Sequence, residues 1–144
     1  MKIPEYVSVS EVKRVCRELK LRDWTKMKGT KVLPKEAKTI LSVVNTQKMK
    51  VPLESFRIGL EVELEHGTMF KDVNVTNNHP LLTGKIVLAH LKEMMDYYQR
   101  LEVAELEGDL FKAVVAKKPE KIKKYLKRLS DAKVILSKAE AEQL

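Results

Sequence analysis

Apolar residues along this chain of 144 residues recur mainly at intervals of three and four, the spacing of helices that bury one face. Val12, Val15, Cys16 and Leu19 form the first stripe, with Ser8 or Ser10 available as its N-cap. Leu21–Met27 reads as a short turn whose Trp24, the only tryptophan, is expected to anchor the core. Lys28-Gly29-Thr30 is a turn. Pro34 then suits the first position of a helix to Val44, in which Ala37, Ile40, Leu41 and Val44 keep the 3.6-residue period.

After the polar connection Asn45–Lys50, a third helix is expected from about Leu53 to His66, with Gly67 as the residue that ends it. Its Leu60, Val62 and Leu64 alternate with glutamates as a half-buried strand would. The helical reading prevails because Phe56, Leu60 and Leu64 also fall four residues apart. Residues 68–82 are rich in Asn and Thr and read as irregular. Thr83 is the expected cap of one long helix through Glu107, with Ile86, Val87, His90, Met94, Tyr97, Leu101 and Ala104 as its stripe. Past the break at Lys117-Lys118-Pro119, Ile122, Tyr125, Leu126, Leu129, Val134 and Leu136 mark a basic amphipathic helix, with Ser130-Asp131 as a point of interruption. The expected fold is all-α: a single-domain bundle of about five helices over residues 1–144, centred on an antiparallel helical hairpin at 52–107.

Composition supports this picture. Hydrophobic residues make up 44% and charged residues 33%, the balance of a folded globular chain. Cys16 is the only cysteine, which excludes an internal disulfide and a Cys-rich zinc site. Its place on an apolar stripe points to a buried thiol. The polar start of the sequence and the lack of any apolar run of membrane length point to a cytoplasmic protein with no membrane partner.

The net charge of +8 hides an uneven distribution. Residues 1–50 hold 13 Lys/Arg and 5 Asp/Glu, residues 51–110 hold 5 and 11, and residues 111–144 hold 10 and 4. The flanks are therefore basic and the central hairpin acidic. Lys117, Lys118, Lys121, Lys124 and Arg128 form the candidate contact set for nucleic acid or another polyanion. Solvated faces, or packing against the acidic centre, account for the same charges and are the favoured readings.

The candidate chemistry lies in the hairpin. Glu63 shares a face with Phe56 and Leu60, whereas Glu61 and Glu65 are expected to point towards solvent. His90 lies among apolar neighbours at a similar height on the facing helix, so the two side chains are a candidate buried pair. Three readings stand: a hydrogen-bonded pair that fixes helix register, a divalent-metal site, or an acid–base couple. The metal set would be Glu63, His66, His90 and Glu93, drawn from a pool that also holds Glu65 and His79. Its spacing matches the Glu-x-x-His pattern on one helix only. No phosphate loop, His-Glu-x-x-His, nucleophile elbow or dinucleotide fingerprint occurs. Thr83-Gly84-Lys85 at an expected helix start is a cap more readily than an anion site.

Several motifs are shared with a known family. Residues 56–67 (FRIGLEVELEHG), Asn74-Val75-Thr76-Asn77, Thr83-Gly84-Lys85-Ile86, Ala89-His90-Leu91 and Asp96-Tyr97-Tyr98-x-Arg100-Leu101 resemble domain of unknown function 5661 over residues 52–105. The Asp23-Trp24 element resembles one found in the same proteins. His79 departs from the family pattern, where an acidic residue is usual before the proline, and Met95 stands where a proline is frequent. The resemblance implies no activity. The function expected is a non-enzymatic binding or assembly module, engaging a protein partner or a second copy of itself. Alternatives are a metal-binding protein or metal-dependent enzyme using the hairpin, and polyanion binding through the basic flanks.

Overall fold

A computed structural model describes residues 6–144, so the first five residues of the polar N-terminal stretch lie outside it. Six helices form among the described residues: α1 (Val9–Glu18), α2 (Pro34–Val44), α3 (Leu53–Met69), α4 (Pro80–Glu93), α5 (Tyr97–Val115) and α6 (Pro119–Ala141). Single 3-10 turns at Trp24–Lys26 and Lys71–Val73 interrupt the connections. No strand occurs among the described residues. The chain divides into two compact units, one ending at Glu93 and the other beginning at Met94.

In the first unit Ser8 accepts the Glu11 N–H at 3.2 Å and starts α1, which buries Val12, Val15 and Cys16. Burial pushes the Cys16 thiol up, as expected of a structural cysteine. Trp24 is fully buried beside this helix. Three helices, α2, α3 and α4, pack on one another, and their approach depends on Gly84. A methyl group there would lie 2.7 Å from Ile40 Cγ2 and 3.3 Å from Phe56 Cζ. Gly84 is thus a contact point between helices inside α4.

Thr83 is likewise internal to α4 and buried, so neither the cap nor the anion reading of Thr83-Gly84-Lys85 has its helix start. The helix begins at Pro80 instead. His79 supplies the cap, its Nδ1 accepting the Leu81 and Leu82 N–H groups at 3.2 and 3.4 Å. Gly67 does not end α3. The helix runs on to Met69, and Gly67 gives room to a polar loop: Asn74 donates to its carbonyl at 3.0 Å and to Asn78 Oδ1 at 2.8 Å.

The largest correction concerns the expected helix from Thr83 to Glu107. It stops at Glu93, turns through residues 94–96 and restarts at Tyr97. Asp96 anchors the turn: its buried carboxylate accepts two hydrogen bonds from Arg100, at 3.0 and 2.8 Å, and one from Gln143 at 3.1 Å. Arg100 holds that carboxyl below its ordinary range. Beyond Gly108 the helix continues to Val115, so residues 111–115 belong to α5 rather than to the C-terminal helix. Lys117 adopts a left-handed φ of 50° and turns the chain, and α6 then runs without interruption through Ser130-Asp131.

The second unit is therefore its own antiparallel hairpin of α5 and α6. Its core is small: Leu106, Leu129 and Ala132, flanked by Val103, Leu110 and Tyr125. Arg128–Glu102 at 2.9 Å and Lys133–Glu107 at 3.0 Å tie basic residues of α6 to acidic ones of α5. Part of the basic C-terminal charge thus folds against the acidic centre.

Candidate functional site

On α3 the positions four residues apart, Phe56, Leu60 and Leu64, are buried, and Glu63 sits at the edge of that face. On α4 the buried set is Val87 and Leu91, which leaves His90 at its margin. The two meet: His90 Nδ1 lies 3.1 Å from Glu63 Oε1, with the side chains 28% and 17% exposed. That degree of burial desolvates both groups while leaving an open edge. An acid and an imidazole at this distance can pin two helices, or exchange a proton with a bound molecule.

Beside the pair, an open cleft of about 230 Å³ is lined by Glu63, His66, Phe70, Asn74, Thr83 and Ile86, among others. His66 reaches it from an exposed position one helical turn after Glu63, whereas Glu93 is exposed at the far end of α4. His79 is buried and occupied as the α4 cap. Among the described residues no three His, Cys, Asp or Glu side chains come together in a way that could hold a metal ion.

Glu61 departs from its expected solvent role. It accepts the Val32 N–H at 2.9 Å and pairs with Arg57, clamping the loop before α2. Glu36 does related work nearby. Burial raises its carboxyl, but Arg22 at 2.6 Å, with the Leu33 and Arg22 N–H groups, overcomes that and leaves it lowered. Neither cluster could be read from spacing, because Val32 lies 29 residues from Glu61 and Arg22 lies 14 from Glu36.

The basic candidates lie at the tip and along one side of the second hairpin. Lys118 and Lys121 line an open cleft of about 220 Å³ together with Asp109, Lys112 and Tyr125. Lys117 and Lys124 are exposed, and Arg128 bonds Glu102. The same hairpin exposes apolar residues. Phe111 is 69% exposed and Val115 65%, with Val114, Leu126, Val134 and Ile135 more than half exposed. The readable signal was apolar residues on α5 and α6 outside the stripe that faces the partner helix. The expected helix end at Glu107 concealed it.

Comparison with protein families supplies a match to Protein of unknown function (DUF5661), over residues 12–107. The chain belongs to this family. The matched region takes in α1 and the Asp23-Trp24 turn, well beyond the stretch whose motifs carry the resemblance, and extends into α5. It includes Glu63, His66, His90 and Glu93, while Phe111, Val115 and α6 fall outside it. No curated protein and no solved structure matches the chain. No helix among the described residues is long and apolar enough to cross a membrane.

Proposed function

We propose that this chain is a non-enzymatic binding or assembly module whose working surface is the α5–α6 hairpin, with the Glu63–His90 contact keeping α3 and α4 in register. The observation that carries the reading is the last turn of α5. Phe111, Val114 and Val115 stand exposed there, while the hairpin's core centres on Leu106, Leu129 and Ala132. Burying an aliphatic or aromatic side chain is worth about 1.5–3 kcal/mol. Leaving several of them in water beside so small a core favours a surface that is covered when the protein works. The acid–imidazole pair fits the supporting role, since its two members are hydrogen-bonding partners across adjacent helices.

The test is the native size of the protein in clarified extract of the cells that make it, for the parent and for a Phe111→Lys/Val115→Lys double variant. The parent is expected to run well above the 16.6 kDa of one chain, and the variant at that mass. The variant's unfolding free energy should stay within about 0.5 kcal/mol of the parent's, since both side chains are exposed. A parent already at the monomer mass, or a variant that keeps the parent's size, contradicts the proposal.

A further inference from the structure

The outward side of α5 carries a second apolar stripe. Tyr97, Leu101, Ala104, Gly108, Phe111 and Val115 follow one another at intervals of four, three, four, three and four. At about 100° per residue this line lies roughly opposite Leu106 and Ala113, two of the three buried residues of α5, of which Leu106 packs with Leu129 and Ala132 of α6. Along it Ala104, Gly108, Phe111 and Val115 are exposed. A methyl group on Gly108 would meet nothing within 4 Å. Alternation of three and four over about 27 Å of helix is the pattern of a coiled-coil seam.

The residues flanking that seam identify the occupant. In a parallel pair of helices, the residue before each first core position faces the residue five further along the partner. Here that sets Arg100 of one chain against Glu105 of the other, and Glu107 against Lys112. Both pairings are of opposite sign, and symmetry repeats each of them. An antiparallel pair burying the same six positions would instead bring Glu105 and Glu107 close to their own copies across the axis. Arg100 also binds Asp96 and Glu140, and Glu107 binds Lys133, which holds these flanking side chains along the hairpin.

From this complementarity we infer that the partner is a second copy of the chain, docked through α5 as a parallel, two-fold symmetric pair. The inference rests on the hairpin being the working surface and names what covers it.

Sedimentation equilibrium on the purified full chain, from roughly 10 µM to 1 mM, tests it. The parent should form dimers. Glu107→Lys alone sets Lys against Lys112 of the partner, and Lys112→Glu alone sets Glu against Glu107. Each single variant should therefore dimerise on the order of tenfold more weakly. An equimolar mixture of the two restores opposite charges at every such contact in the mixed dimer and should recover the parent's affinity. The Glu107–Lys133 contact is lost in the Glu107→Lys chain whether mixed or not, so a purely intramolecular effect would show no recovery. A parent that is monomeric throughout, or a mixture no better than its components, overturns the inference. If the parent is monomeric when pure yet large in extract, the assembly reading stands with a different protein as partner.

Discussion

His79 closes the N-terminus of α4 with a ring nitrogen where a carboxylate would serve equally well. Its Nδ1 can accept the Leu81 and Leu82 N–H groups only while that nitrogen carries no proton. Burial pushes its pKa below the ordinary histidine value, partly offset by Glu11. The unfolded chain therefore binds this proton more readily than the folded one, and stability rises with pH through this window. The contribution should be complete above the ordinary histidine value and lost as pH falls below it. Urea unfolding from pH 7.5 to 5 should show a loss of about 0.5–1 kcal/mol attributable to this cap. His79→Asp, an acceptor at both ends of that range, should flatten the slope. An unchanged slope in that variant would show that the cap does not respond to pH. Individual core residues were the most legible feature at this scale: Val12, Cys16, Ile40, Phe56 and Leu60 are buried as periodicity requires, and Trp24 as expected of a lone tryptophan. The polar clamps Arg22–Glu36 and Arg57–Glu61–Val32 were not, since each joins residues that only the fold brings together.

Most helices were legible, but several of their boundaries were not. The break after Glu93 has no glycine or proline in this sequence, and what makes it is the buried Asp96 bonded to Arg100 and Gln143. Gln143 is 47 residues away, beyond any local pattern. Conversely the helix expected to end at Glu107 runs on through the exposed Gly108 to Val115. Between α3 and α4 the proposed register contact is Glu63 with His90. A double-mutant cycle of Glu63→Gln and His90→Gln, read by chemical denaturation at neutral pH, should give a coupling of about 0.5–1 kcal/mol. A coupling indistinguishable from zero would remove the pair's proposed role in helix register.

At the scale of the molecule, the chain falls into two compact units. The first unit has the larger core and the internal polar clamps, and holds most of the family-matched region. The second unit, a hairpin of two long helices, has the small core and much of the exposed apolar surface. That division was hidden in the sequence because one continuous stripe seemed to run from Ile86 to Ala104. The charge pattern was read more successfully, since Glu102–Arg128 and Glu107–Lys133 cross-link the acidic and basic segments. The proposed function has a definite place on the molecule, since it puts the contact with a partner on the side of α5 turned away from α6. The most direct measurement puts a photo-crosslinking amino acid at position 111 of the full chain, and in a control at the exposed position 123, inside expressing cells. The expected result is one discrete adduct from position 111, at twice the chain mass if the partner is a second copy, and none from position 123. No adduct from position 111, or the same diffuse products from both positions, would contradict the proposal.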